Sequence, residues 1–271
     1  MSAAEDTDLG ESHDPAGRLS ANSRRRALLF LTREQGELNV TAAAERLGVS
    51  VETLRRDLAV LEERGLVRRQ YGSAYPVESL GFETDLGHRA GEWLAEKQRI
   101  AAEAVRHLEE AESVFIDEGY LPSLIAQQLP GGRPLTVVTA SMPVATTVAS
   151  HSDHAVIMLG GRVRGKTLAT VDHWVTRMLS DLVIDLAFIG SNGISPTTGL
   201  TTPDPVVAEV KKTAIRVSRR RIFVGAHNKF RASSFCRFAE IQEFELLITD
   251  SGLSVAEAQR FAVQGPRVVR V

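Results

Sequence analysis

Residues 50–64 read Ser50-Val51-Glu52-Thr53-Leu54-Arg55-Arg56-Asp57-Leu58-Ala59-Val60-Leu61-Glu62-Glu63-Arg64, and Gly65 follows. Apolar side chains recur here at spacings of three and four residues, which places them on one face of an amphipathic helix. Ser50 is suited to cap the start of this helix, and Gly65 suits the left-handed conformation that often ends one. The polar side carries Arg56, with Arg55 on its flank.

The polar side of this helix has the chemistry needed to contact DNA. The guanidinium groups of Arg55 and Arg56 fit bidentate contact with guanine or with phosphate oxygens. Ser50 and Thr53 join them in the first two turns, the part of a recognition helix that reaches base edges. A pair of arginines is also common on a solvated helix face, so the pair alone does not decide between the two interpretations.

The segments on either side of residues 50–64 favour DNA binding. Residues 20–34 predict a first helix and residues 40–47 a short second one, joined to the third by the turn Gly48-Val49-Ser50. Two helices joined by a three-residue turn with a glycine are typical of a helix-turn-helix. Residues 66–75 predict a β-hairpin, the wing of a winged helix. Its Arg68 and Arg69 are expected to face the DNA backbone.

The start of the first helix is ambiguous. Arg24, Arg25 and Arg26 are suited to contact phosphates, and equally suited to solvate the helix. Of the three, Arg25 is the candidate for a DNA contact.

The spacing of these residues resembles a known DNA-binding signature, that of the DeoR/GlpR family of bacterial sugar-metabolism repressors. The positions that carry the resemblance are Val49-Ser50-x-x-Thr53-x-Arg55-Arg56-Asp57-Leu58-x-x-Leu61-x-x-x-Gly65-Leu66-x-Arg68. The resemblance implies a winged helix-turn-helix whose recognition helix enters the major groove of a double-stranded operator.

The composition is that of a globular chain with one small and one medium domain. Of 271 residues, 43% are apolar and 24% charged, and the formal net charge is −2. Residues 1–17 contain five acidic residues and no Lys or Arg, whereas residues 18–75 contain eleven Arg and seven acidic residues. The only clearly basic segment therefore contains the predicted recognition helix, as expected of a DNA-binding module on a neutral body.

Polarity and periodicity divide the chain into four parts. Residues 1–17 are predicted to be a disordered tail, 18–75 the winged helix-turn-helix, 76–92 a linker, and 93–271 a second domain. The family resemblance implies that residues 93–271 form an effector-binding and oligomerisation domain. The single cysteine, Cys236, excludes an intrachain disulfide and indicates a reducing compartment. No run of about 18 apolar residues is present, and no secretory signal. We expect a cytoplasmic protein without membrane contact, metal or cofactor.

After residue 92 the pattern changes to alternating helices and short apolar runs. Residues 93–109 predict an amphipathic helix that buries Leu94, Ile100, Ala101, Ala104, Val105 and Leu108. The candidate strands are Ser113–Asp117, Leu135–Thr139, Ala155–Leu159, Leu186–Gly190, Arg221–Gly225, Leu246–Thr249 and Arg267–Val271. The helices between them are predicted near residues 121–129, 141–149, 173–182, 204–219 and 255–263. This alternation predicts an α/β fold with a parallel sheet covered on both faces.

Ligands of such sheets bind at the carboxyl ends of the strands. This rule selects five loops: Asp117–Ser123, Thr139–Met142, Gly160–Arg164, Gly190–Gly193 and Gly225–Lys229. They offer glycines for close backbone approach, a helix start for phosphate, guanidinium and ammonium groups, and carboxylates for sugar hydroxyls. The candidate effector-binding residues are Asp117, Glu118, Gly119, Tyr120, Ser141, Gly161, Arg162, Asp204, Glu209 and Lys229.

Structural alternatives exist for several of these residues. A Gly-Gly pair after a strand, such as Gly160-Gly161, is usually only a turn. Ser141 is more often a helix cap than a ligand contact, and Asp204 before Pro205 suits a cap equally well.

The second half resembles the effector domain of the same family. The matching segments are Gly160-Gly161-Arg162, Gly190-x-x-Gly193-Ile194, Gly199-Leu200-Thr201-Thr202-x-Asp204, Glu209-x-x-x-Thr213, Lys229-Phe230 and Thr249-Asp250. That domain is similar to ribose-5-phosphate isomerase and the CoA-transferase superfamily. The resemblance implies a sugar-phosphate inducer and a homo-oligomeric repressor, a dimer or a tetramer.

Three loops depart from the family pattern. Tyr120-Leu121-Pro122 stands where the family has small hydroxyl residues, Ala140 where it has Asn, and Ala226 where it has Asp. The sequence therefore leaves two kinds of effector, a sugar phosphate or an unphosphorylated ligand. Three functions remain: a repressor controlled by such an effector, a regulator whose second domain only oligomerises, and an isomerase-like enzyme. A fused DNA-binding module argues against the enzyme, and fold similarity does not carry activity.

Overall fold

A computed structural model describes residues 20–35, 37–63, 67–70, 72–76 and 93–271. The chain divides into two compact units, Met1–Phe82 and Glu83–Val271, and each is described by itself. The predicted tail, residues 1–17, and nearly all of the predicted linker, residues 76–92, lie outside the described residues.

Within its described residues, the first unit contains three helices and a small antiparallel sheet. Its elements are α1 (Ala21–Gln35), β1 (Leu38–Asn39), α2 (Val40–Arg46), α3 (Val51–Glu63), β2 (Val67–Gln70) and β3 (Ser73–Pro76). The three strands lie in the order β1-β3-β2, and β2 pairs with β3 as the predicted hairpin. The winged helix-turn-helix predicted from the sequence is confirmed.

The predicted apolar face of α3 forms the centre of this unit's core. Leu54, Leu58 and Leu61 are buried against Leu28 of α1 and against residues of α2 and the hairpin. The side chain of Asn39 caps α2 by accepting hydrogen bonds from the N–H groups of residues 41 and 42. Burial of one helix face fixes which side chains of α3 face solvent.

The second unit is built on a seven-stranded parallel sheet. Its strands are β4 (Ser113–Ile116), β5 (Thr136–Thr139), β6 (Ala155–Met158), β9 (Ile184–Ile189), β12 (Ser218–Val224), β14 (Leu246–Thr249) and β15 (Arg267–Arg270). They lie in the order β15-β14-β12-β9-β4-β5-β6, and every neighbouring pair is parallel. All seven strands were predicted from the sequence, and the α/β fold class is confirmed.

Helices cover both faces of this sheet. They are α4 (Leu94–Val105), α5 (Tyr120–Gln127), α6 (Met142–His151), α7 (His173–Ser180), α8 (Pro205–Val217) and α9 (Val255–Ala262). Two apolar clusters result: α4, α5 and α6 contribute to one, and α7, α8 and α9 to the other. One predicted core position was wrong, because Leu94 is 39% exposed.

Two small antiparallel pieces were not predicted. One is the hairpin of β7 (Arg162–Arg164) and β8 (Ala169–Val171), and the other is a sheet of β10 (Gly193–Ser195), β11 (Gly199–Thr202) and β13 (Cys236–Ala239). Their segments of three or four residues are too short for the alternation of polar and apolar side chains to stand out.

Candidate functional site

In the first unit, the start of α3 presents polar groups to solvent. The Ser50 hydroxyl accepts a hydrogen bond from the Thr53 N–H at 3.2 Å and lies 2.8 Å from the Thr53 hydroxyl. Arg55 and Arg56 are exposed, and Arg56 makes a long ion pair of 3.8 Å with Glu52 one turn earlier. Such a surface pair costs little to break, so the Arg56 guanidinium is available to a partner.

A buried carboxylate holds α1 against α3. Asp57 lies on the buried side of α3 at 2% exposure and accepts from the Nε atoms of Arg24 at 2.5 Å and Arg25 at 2.8 Å. This pairing gives Arg25 a role inside the fold. A DNA contact by Arg25 stays a prediction.

The wing is tied to α3 by Arg69. Its backbone N–H and its Nε both donate to the Glu62 carboxylate, at 2.8 and 2.7 Å, and its Nη1 donates to the Arg55 carbonyl. The backbone of Arg68 lies in β2, and its side chain is outside the described residues. Contacts of Arg68 and Arg69 with DNA stay predictions.

In the second unit, a cleft opens at the carboxyl ends of β4, β9 and β12. Its interior measures about 60 Å³, and the rest of the space between its walls is open to solvent. Three of the five predicted loops contribute to it. Its lining residues are Lys97, Glu118, Gly119, Tyr120, Leu121, Pro122, Gly190, Ser191, Asn192, Lys211, Val224, Gly225, Ala226 and Lys229.

A buried ion pair joins Lys211 of the cleft lining to Asp117, which lies behind the lining residues. Asp117, at 1% exposure, accepts from the Lys211 ammonium, from the Glu118 N–H at 2.8 Å and from the Gly190 N–H at 2.9 Å. Lys211 donates in addition to the Gly190 carbonyl at 3.3 Å. The Asp117 carboxylate is thus engaged within the protein, and its contact with sugar hydroxyls stays a prediction.

The walls of the cleft carry further lysines and a glycine at a helix start. Lys97 is 7% exposed, and its ammonium lies 5.5 Å from the centre of the Tyr120 ring. Gly119 has φ +118°, which favours glycine, and it begins α5. Lys229 is half-buried in the lining. Three lysines against the carboxylates Asp117 and Glu118 leave the site positively charged, which suits an anion.

Beside the cleft, a second buried carboxylate positions a histidine. Asp250 accepts from the His227 backbone N–H at 2.7 Å and from the Gly252 N–H at 2.9 Å, and lies 2.6 Å from His227 Nδ1. The His227 ring makes an edge contact with Trp93, with centroids 4.4 Å apart. Burial raises the pKa of Asp250, but the hydrogen bonds from His227 and Gly252 outweigh it and bring the pKa below the usual value.

The remaining predicted effector residues lie outside the cleft lining. Ser141 is fully buried and caps α6, because its hydroxyl accepts from the Val144 N–H at 3.4 Å. Asp204 caps α8 through the Val206 N–H at 3.0 Å and pairs with Arg164 at 3.0 Å.

Three more of the predicted effector residues lie outside the cleft lining. Arg162 donates to Asp172 at 2.9 Å. A Cβ on Gly161 would lie 2.4 Å from the Val171 carbonyl oxygen, so this glycine permits the close approach of β8 rather than of a ligand. Glu209 is exposed and pairs with Lys212. The structure therefore brings Glu118, Gly119, Tyr120 and Lys229 together, with Asp117 behind them; ligand contacts by any predicted residue stay predictions.

Sequence reasoning missed two lysines of the cleft as site residues. Lys211 lies among Val207, Val210 and Ala214 on the buried face of α8, and a charged residue within an apolar helix face is a detectable signal. Lys97 takes a buried position on α4. Ser191 and Asn192 could have been named from the sequence, because they lie in the predicted ligand-binding loop Gly190–Gly193.

The described residues offer neither a metal site nor a membrane-spanning helix. Among the described residues, no group of three or more His, Cys, Asp or Glu side chains is arranged to hold a metal ion. Every helix in the described part of the chain is too short or too polar to span a bilayer.

Comparison with protein families matches both units. Residues 24–79 match the DeoR-like helix-turn-helix domain, and residues 93–251 match the DeoR C-terminal sensor domain. The chain belongs to the DeoR family. This DeoR-family chain therefore carries a DeoR-like helix-turn-helix domain followed by a DeoR C-terminal sensor domain.

Curated relatives cover nearly the whole chain. The transcriptional regulator GlpR of Haloferax volcanii is 32% identical over 246 residues, which is 91% of this chain and 96% of the relative. The glycerol-3-phosphate regulon repressor of Escherichia coli is 27% identical over 89% of this chain and 95% of its own. The transcriptional repressor AccR of Agrobacterium fabrum is 28% identical over 86% and 91%.

Solved structures show a more distant likeness. Ribose 5-phosphate isomerase A of Methanocaldococcus jannaschii aligns with a TM-score of 0.36 at 15% identity, over 49% of this chain and 53% of the isomerase. The sorbitol operon regulator SorC of Klebsiella pneumoniae aligns with a TM-score of 0.35 at 10% identity, over 77% and 90% of the two chains.

We predict that Asp57→Asn destabilises the first unit by about 1–3 kcal/mol, because the two arginines lose a charged acceptor. Hydrogen exchange of the α3 amides in the full chain measures this change. Glu52→Gln is the matched control, since its exposed pair with Arg56 contributes at most about 1 kcal/mol. Equal protection of α3 in both variants would contradict the prediction.

We predict that Asp250→Asn destabilises the protein most at neutral pH, by about 1–3 kcal/mol. The folded-state pKa of Asp250 is lowered, so its stabilisation is present above the unfolded pKa of about 3.9 and is lost as pH falls through the folded value. In thermal unfolding from pH 7 to pH 3, the difference in Tm between this variant and the wild type should shrink. Asp181→Asn, at an exposed position, is the control. A gap that is constant with pH would refute the assignment.

Proposed function

We propose that this protein represses genes of carbohydrate metabolism by binding an operator through α3, and that a small anionic sugar derivative in the cleft controls this binding. The observation that carries the proposal is the polar row at the start of α3, opposite the face that buries Leu54, Leu58 and Leu61. Ser50, Arg55 and Arg56 of this row are exposed, and Thr53 is half-buried. The names of the relatives, among them a glycerol-3-phosphate regulon repressor, support the class of regulated genes.

The charge of the cleft supports an anionic effector. Lys97, Lys211 and Lys229 line it, and Gly119 presents the N-terminus of an eight-residue helix beside them. Backbone N–H groups at a helix start and ammonium groups together favour a phosphate or a carboxylate. An anionic sugar derivative therefore fits better than a neutral sugar.

The same contacts argue against the enzyme alternative. Asp117 is neutralised by Lys211, Asp204 caps a helix, and Glu209 is exposed beside Lys212. An isomerase-like reaction could draw on Asp117, Asp204, Glu209 or Lys229 for acid–base work. Of these four, only Lys229 belongs to the cleft lining. The alternative of a second domain that only oligomerises predicts no effector at all. A thermal-shift screen separates it, because a ligand stabilises the protein by RT ln(1 + [L]/Kd).

We predict that Arg56→Ala weakens operator binding by about 1–3 kcal/mol and relaxes the base preference at one position. Fluorescence anisotropy with operator and random duplexes at fixed salt measures both effects. The control is Arg260→Ala, an exposed arginine of the second unit. An equal loss on operator and random DNA would make Arg56 a phosphate contact and contradict the base-reading role.

We predict that Lys229→Ala leaves DNA affinity unchanged without effector and shifts the effector dose–response to at least tenfold higher concentration. The reason is the loss of one ammonium from a cleft that binds an anion. The measurement is release of labelled operator during titration with sugar phosphates and sugar acids. Lys212→Ala, which removes an exposed lysine paired with Glu209, should leave the curve unchanged. If the Lys229→Ala curve also stays in place, Lys229 is not an effector contact.

A further inference from the structure

We propose that the β6 edge of the sheet is the surface through which two copies of this chain associate, about a two-fold axis. We call this surface the edge patch. It consists of the strand Ala155–Met158 and the side chains Val163, Trp174 and Met178. The proposal concerns self-association and does not depend on the identity of the effector.

The edge patch is apolar and exposed, and two contacts tie its segments together. Trp174 is 60% exposed, Val163 48%, Met178 41% and Ile157 38%. The Gly160 N–H donates to the Met178 sulfur at 3.3 Å, which joins α7 to the segment that follows β6. The ion pair between Arg162 and Asp172 joins the β7–β8 hairpin to the start of α7. Exposed apolar side chains gathered on one surface are typical of protein–protein contacts.

The two edge strands of the sheet differ in the charged residues that would prevent them from pairing with another chain. At one end, β15 reads Arg-Val-Val-Arg, with Arg267 and Arg270 as charged ends. At the other end, β6 reads Ala-Val-Ile-Met and, within the described residues, pairs with β5 alone. Edge strands of monomeric proteins usually carry charges or proline, which prevent pairing with another chain. Of the two edges, only the charge-free β6 is suited to pair with another strand.

The distribution of charge favours a second copy as the partner. Two β6 strands related by a two-fold axis run antiparallel, so the start of each strand faces the end of the other. Asp153 precedes β6 and is exposed, and Arg162 follows it with a side chain 63% exposed. Antiparallel pairing therefore brings Asp153 of each copy towards Arg162 of the other. Each copy supplies both halves of this complementarity, in the segments that precede and follow β6.

Substitution on the full-length chain tests the proposal. We expect Ile157→Lys to halve the mass per particle in sedimentation at micromolar concentration and to raise the self-association constant Kd at least a hundredfold. Val255→Lys, at an apolar position 70% exposed outside the edge patch, should keep the wild-type mass. A wild type that is monomeric throughout, or an Ile157→Lys variant that keeps the wild-type mass, would overturn the proposal.

Cross-linking keeps the test decisive if Ile157→Lys does not fold. In a Cys236→Ser background, Ala155→Cys, Val156→Cys and Ile157→Cys are oxidised separately. Antiparallel strands place facing Cα atoms about 4.5–5.5 Å apart, within reach of a disulfide. We expect a covalent dimer from at least one of these variants and none from Val255→Cys. Cross-linking of Val255→Cys alone, or of none, would place the contact elsewhere.

Discussion

The buried ion pair between Asp117 and Lys211 is the interaction on which the geometry of the cleft depends. It joins the end of β4, the end of β9 at Gly190 and the middle of α8. Removing two charges from water is costly, and the cost is offset here because backbone groups of Glu118 and Gly190 complete the hydrogen bonding. Loss of one partner alone would leave a buried charge and cost about 3–5 kcal/mol. The pair is thus part of the frame that holds the cleft open.

Some residues hold the cleft together and others line it, and this distinction explains which candidate site residues could be predicted from the sequence. The rule that ligands bind at strand ends selects the loops of Gly119, Gly190 and Lys229, which line the cleft, because continuous apolar runs identify buried parallel strands. It could not separate residues that face the cleft from residues that cap the next helix. Ser141 and Asp204 both follow strands, and both were open between a cap and a ligand contact. Their hydroxyl and carboxylate oxygens accept N–H groups of α6 and α8.

The same limit applies to the arginines of the first unit. The sequence identifies α3 and its polar side, since the spacing of Leu54, Leu58 and Leu61 fixes the buried face. It does not show that Asp57 engages Arg24 and Arg25, because that pairing depends on how α1 crosses α3. Burial of Asp57 divides the arginines into those used within the fold and those, such as Arg55 and Arg56, that remain exposed.

The packing of α7 on α8 offers a physical route between the cleft and the edge patch. Helix α8 carries Lys211 into the cleft, and α7 carries Trp174 and Met178 on the edge patch. The two helices pack together, and Arg216 of α8 donates to the Ser180 hydroxyl of α7 at 3.1 Å. A displacement of α8 on effector binding would therefore move α7. Thermodynamic linkage then requires that an effector which weakens self-association by some factor binds the associated form more weakly by the same factor. The apparent affinity for effector would then depend on protein concentration.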